Sequence, residues 1–146
     1  MPAHFNQYGI AFQYPENWTL DDEEMEDLPE ERHVVTVYSP GGAFWSVTVH
    51  PRSADPRKLA KAAAKAMKEE YEGVEVEDAC DSCLGNELTG YDFNFIYLDL
   101  TNTAQIRSLE RPHAVYTIFC QAEDREFEAV RKVFEAMTVS LVREIE

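Results

Sequence analysis

Hydrophobic and polar positions alternate along most of this chain, and the alternation marks strands. Its longest expression is Leu88 to Gln121. Tyr91, Phe93, Phe95 and Tyr97 recur at every second position, the period that a pleated strand imposes. Thr101-Asn102 reads as a polar break suited to a hairpin. Thr103 to Arg111 then alternates weakly, and after Pro112 a third segment, Ala114 to Cys120, carries Val115, Tyr116, Ile118 and Phe119. Three extended segments with short connections predict an antiparallel meander.

Earlier segments follow the same logic. Tyr8 to Tyr14 places Tyr8, Ile10, Phe12 and Tyr14 on one face of a first strand, closed by a turn at Pro15-Glu16-Asn17. Trp18 is expected to fold its ring back onto the sheet. His33–Ser39 and Ala43–His50 form a hairpin around Pro40-Gly41-Gly42. In its second arm Trp45, Val47 and Val49 face the core, and His50 falls on the polar side, where solvent is expected. Val74–Cys80 alternates against acids and reads as an edge strand whose charges discourage stray pairing. Gly85-Asn86 turns the chain into the long strand.

Two stretches switch to helical spacing. Asp55-Pro56 is an N-cap followed by proline at the first helical position, which predicts a helix from Asp55 to about Glu72, stopped at Gly73. Leu59, Ala63, Met67 and Tyr71 form its apolar stripe, with Ala62 and Ala66 beside them; Lys58, Lys61, Lys65 and Lys68 form a basic one. Asp124 can cap a second helix, to Met137, with Phe127, Val130, Phe134 and Met137 on one face. Thr138 to Val142, with its β-branched residues, reads as a short final strand. The pattern predicts an α+β fold with an antiparallel sheet of about six to seven strands and two main helices. At 146 residues the chain suits one domain.

Composition narrows the partners. The formal charge is −15, a field that repels phosphate backbones and excludes nucleic acid as a general ligand. No apolar run approaches the roughly 18 residues of a membrane span. The opening Met-Pro-Ala-His-Phe-Asn-Gln lacks the basic start and apolar core of a signal peptide, and three cysteines do not fit a secreted disulfide framework. A cytoplasmic location is the expectation.

Candidate chemistry is sparse. Asp21 to Glu31 holds eight acids in eleven residues. Asp21, Asp22, Glu23, Glu24, Glu26 and Asp27 are the candidate contacts for a basic protein partner, against the plainer reading of a solvated loop; the run lacks the spacing of an EF-hand. Cys80-Asp-Ser-Cys83 is the one formal motif. In an extended strand its Cα atoms lie about 10 Å apart, too far for a disulfide. With Cys120 and a histidine these thiols could make a zinc site, but no second cysteine pair at diagnostic spacing accompanies them. Phosphate-binding glycine loops, nucleophile elbows and His-Glu-x-x-His are missing from the chain. No cofactor and no catalytic residue is predicted.

Taken together, Tyr14-Pro15-Glu16-Asn17-Trp18, the hairpin, the helix from Asp55, the meander and the ending Phe134-Glu135-Ala136-Met137-Thr138-Val139-Ser140-Leu141 resemble the PsbP-like fold, shared with the Ran-binding Mog proteins and with small bacterial proteins of unknown function. The resemblance covers nearly the whole chain. It implies a three-layer α-β-α sandwich, the sheet lying between the helices. It also implies action by binding: relatives stabilise photosystem subunits, bind a GTPase or chaperone secreted effectors. The reading that follows is a non-catalytic adaptor or chaperone for another protein, with a homodimer compatible with it. The alternatives are a thiol or metal protein using Cys80, Cys83 and Cys120, and a small-molecule binder or enzyme with a pocket between sheet and loop.

Overall fold

The computed structural model describes residues 2–22 and 33–145, in which nine strands and two helices follow one another along the chain. Strands β1 (Pro2–Gln7) and β2 (Ile10–Pro15) form a two-stranded hairpin of their own. Strands β3 (Thr19–Asp21), β4 (His33–Tyr38) and β5 (Phe44–His50) precede helix α1 (Pro56–Glu70). Then come β6 (Glu75–Cys83), β7 (Asn86–Tyr97), β8 (Leu100–Glu110), β9 (Val115–Glu123) and helix α2 (Asp124–Glu144). Seven strands pair antiparallel in the order β3-β4-β5-β9-β8-β7-β6, which puts the acidic β6 at an edge as its alternation requires.

The helices cover opposite faces. Register places Val35, Val47, Ile118 and Arg107 in one row, beside a second row of Val37, Trp45, Cys120 and Gln105. This face carries α2 and the β1–β2 hairpin: Phe12 meets Trp45 at 4.9 Å, and the Trp45 indole N–H donates to Thr138 Oγ1 at 3.1 Å. On the opposite face α1 buries Ala60, Ala64 and Met67, its Ala64 and Met67 against Phe93, Phe95, Ala104 and Ile106. The result is an α+β, three-layer α-β-α arrangement. Asp55 caps α1 as expected, its carboxylate accepting from Arg57 N at 3.0 Å. Of the predicted stripe Met67 is buried and Leu59, Ala63 and Tyr71 are half-buried, while Ala60 and Ala64 take the other fully buried positions; Ala62 and Ala66 are exposed.

Tyr8 does not begin a strand of the main sheet. With Gly9 it forms a turn at φ +56° and +77°, the backbone a two-residue hairpin demands, and Pro2–Gln7 pairs across it. The break in the meander falls at Leu98-Asp99, both with positive φ, while Thr101-Asn102 lies inside β8. Trp18 is buried as expected, in the core that the sheet residues Val35, Val37 and Trp45 share with α2, and its ring meets Phe134 of α2 edge-on at 6.0 Å. His50 is buried at 5% exposure with Nε2 2.9 Å from Thr117 Oγ1. Its neighbours on the same face of β5, Phe44, Ser46 and Thr48, are half-buried, so the burial is local to the end of the strand beside Thr117.

Thr138–Val142 is helical, and α2 starts after Glu123, whose carboxylate caps it by accepting from Glu126 N. Phe127, Phe134 and Leu141 are spaced by seven and, with Met137 and Val142, keep one face buried, so burial outweighs the modest strand preference of Thr138 and Val139. Leu141 is fully buried. Replacing it with alanine should cost about 2–5 kcal/mol in denaturant unfolding; a loss well under 1 kcal/mol would mean that the last turns of α2 do not belong to the core.

Candidate functional site

Two surfaces stand out once the layers are in place, and they sit at opposite ends of β7. The first is the β7–β8 hairpin tip. Ile96, Tyr97, Leu98 and Leu100 are 68%, 53%, 77% and 43% exposed, a concentration of large apolar side chains on six consecutive residues with Phe95 and Asp99. Tyr71, just past α1, braces the base of the tip: it stacks on Phe95 at 4.1 Å and meets Tyr97 edge-on at 5.9 Å. Leu98 occupies a left-handed position at φ +51°, where turn chemistry favours Asn, Asp or Gly. Local backbone preference therefore does not account for leucine there.

The second is a groove of about 600 Å³ between α2 and the outer strands β6–β8. Its apolar wall includes Leu88, Ile118, Phe127 and Phe134, and Leu84, 57% exposed in the β6–β7 turn, forms a lip. Its polar end is built around Arg107. The guanidinium donates from Nε to Asp81 at 2.6 Å, from Nη2 to Asp92 at 2.7 Å, and from Nη1 to the Tyr91 and Ile106 carbonyls, both at 3.0 Å. Burial alone would lower the Arg107 pKa; the hydrogen bonds to Asp81 and Asp92 more than reverse this and raise it. Gly90, opposite Arg107 in the register, is what allows this approach, because a Cβ there would overlap the Ile106 carbonyl oxygen.

The sequence candidates are distributed as follows. Asp21 ends β3 and is exposed, and Asp22 follows it half-buried; Glu23, Glu24, Glu26 and Asp27 lie outside the described residues. Cys80 and Cys83 are both in β6, three positions apart, so they point to opposite faces of the sheet. Cys80 is exposed and its thiol donates to Glu87 Oε1 at 3.2 Å. Cys83 and Cys120 instead share the groove. Among the described residues, no three His, Cys, Asp or Glu side chains are placed to hold a metal ion. The Glu87 carboxylate raises the Cys80 thiol pKa, burial raises that of Cys83, and burial pushes that of Cys120 up to about 12. All three are therefore protonated near neutrality, the opposite of an activated thiolate.

Neither surface could be read from spacing alone. The tip hid behind an apolar strand without a turn signal. For the groove, the available signals were a glycine inside a strand pattern and polar residues, Gln105 and Arg107, at inward positions.

No protein-family model matches the chain, and no curated protein does. Solved structures do match. Cyanobacterial PsbP from Synechocystis is 12% identical with a TM-score of 0.60, over 95% of this chain and 90% of that one. The chain has the fold of PsbP. A Pseudomonas aeruginosa protein of unknown function, PA94, described as a putative regulator, is 11% identical with a TM-score of 0.53, over 96% and 95% of the two chains. LpqN, involved in cell envelope biogenesis of Mycobacterium tuberculosis, is 15% identical with a TM-score of 0.52, over 94% and 86%. At these identities the likeness is one of fold.

Two measurements check the site's geometry. Gly90→Ala should lower stability by about 1–3 kcal/mol, as overpacking does; a neutral effect would mean that β7 and β8 do not approach as described. In alkylation of the native protein near neutral pH, Cys80 should react first. A shift of the Cys120 thiol from 9.0 to about 12 leaves about 1,000-fold less thiolate, before burial further limits access. Cys120 labelling as fast as Cys80 would contradict this.

Proposed function

We propose that the chain is a non-catalytic binding protein, an adaptor or chaperone, that docks another protein through the β7–β8 hairpin tip. The observation that carries this reading is Leu98, 77% exposed in a turn position that leucine does not favour, flanked by exposed Ile96, Tyr97 and Leu100. Contiguous exposed apolar side chains on a soluble fold mark interaction sites more often than scattered ones do. Tyr97 adds an aromatic anchor held by Tyr71, the kind of side chain that dominates binding energy at interfaces.

The charge of −15 favours a basic partner and speeds its approach. In this reading the acidic run Asp21, Asp22, Glu23, Glu24, Glu26 and Asp27 steers that partner, while the tip supplies the apolar contact. The resemblance to Mog proteins and effector chaperones, which act by binding, supports the same class of function. A cytoplasmic location belongs to this proposal.

The tip can be altered without harming the fold, which makes the reading testable. Ile96→Thr with Leu98→Asn keeps strand preference and improves turn chemistry, so the thermal midpoint should stay or rise. Capture from native cells should recover a partner with the wild type and lose it at least about tenfold with the variant. Equal recovery would remove the tip from the function. For the captured partner, replacing Asp21, Asp22, Glu23 and Glu24 by Asn or Gln should slow association more than it speeds dissociation, and salt should mimic the change. Unchanged rates at two salt concentrations would leave the run as solvating charge.

A further inference from the structure

We infer that the groove beside α2 is a second, independent site, which takes a small organic cation with an apolar body. Its volume of about 600 Å³ is in the range of small-molecule pockets, and its lining mixes apolar walls with a few converging polar groups.

The electrostatics decide the sign of the ligand. A guanidinium has five N–H donors, and four of those on Arg107 are committed to Asp81, Asp92 and the two carbonyls. Arg107 therefore has no pair of free donors for a bidentate grip on an anion. Its single charge faces two carboxylates, which leaves one negative charge in excess. Those carboxylates keep accessible oxygens: the Asp81 and Asp92 side chains are 61% and 33% exposed. On the rim Arg131 also lines the groove, 3.5 Å from Glu128 outside it, and Glu135 adds a further carboxylate, so the lining carries three carboxylates against two guanidiniums. An ammonium head meets acceptors here, while a carboxylate head meets repulsion.

The apolar wall decides the rest of the ligand. Phe127 and Phe134 come from α2, Leu88 and Ile118 from the sheet, and Leu84 extends the wall towards solvent. A chain or ring laid along them removes apolar surface from water. Cys83 and Cys120 line the groove as neutral thiols, which suits reversible binding. The hairpin tip is at the far end of β7, so each surface can fail its test without affecting the other.

The test uses two probes with one apolar body, 4-phenylbutylamine and 4-phenylbutyrate, titrated into the intact protein and followed by backbone amide shifts. The amine should bind at least about tenfold tighter than the carboxylate, with shifts clustered at Leu88, Asp92, Gln105 and Arg107. Lysine methyl ester, which is a cation without the phenyl body, should bind at least about tenfold more weakly than the amine. Leu84→Lys, at the exposed lip, should weaken the amine and not the carboxylate. Asp92→Asn should erase or invert the preference; if that variant does not fold, Asp81→Asn, altering the more exposed carboxylate, should reduce it. Equal affinity for the two probes, preference for the carboxylate, or shifts confined to other surfaces would overturn the inference.

Discussion

A seven-stranded sheet is too wide for one helix to cover, and most of this structure follows from that mismatch. Six inter-strand gaps span about 29 Å, whereas a helix with its side chains is about 10–12 Å across. On one face α1 lies over β7, β8 and the central strand β9. On the other, α2 and the β1–β2 hairpin share the work, and their cover runs from β4 to about β8. The side chains record the limit of that cover. Along one row Val37, Trp45 and Cys120 give way to Gln105 and Asp92; along the next Val35, Val47 and Ile118 give way to Arg107.

The polar end of each row must then satisfy itself, because a buried guanidinium without acceptors would be costly. Arg107 does so with two carboxylates and two backbone carbonyls, and glycine at position 90 lets the strands come close enough. The groove is thus a product of the fold's incomplete coverage. At the opposite end of β7 the hairpin tip carries exposed apolar side chains beyond the point where Tyr71 packs on Phe95 and Tyr97.

Much of this was legible in the sequence where one local rule met one consistent environment. Trp45, Val47 and Val49 alternate because one face of β5 is core, and Asp55-Pro56 starts a helix by satisfying orphan backbone donors. The misreadings arose where tertiary structure overrode local preference. Thr138 and Val139 favour strands, but the Phe127–Phe134–Leu141 spacing holds them in α2. Leu98 carries no turn signal, so the break was placed at Thr101-Asn102, three residues late. His50 falls on the polar side of its strand, and its burial comes from pairing with β9, where Thr117 lies 67 residues further along the chain. The groove needed register between β6, β7 and β8 before Asp81, Asp92 and Arg107 could be seen as neighbours, and Cys80 and Cys83 parted for the same reason: alternation sends them to opposite faces.

The central functional claim is that the uncovered tip of β7–β8 is where a protein partner sits. A photo-crosslinking side chain introduced in living cells at Leu98, and separately at exposed Ala62 on the outward face of α1, tests it most directly. A discrete adduct from position 98, without the same adduct from position 62, is the predicted result. The same adduct from position 62 and none from position 98 would contradict it.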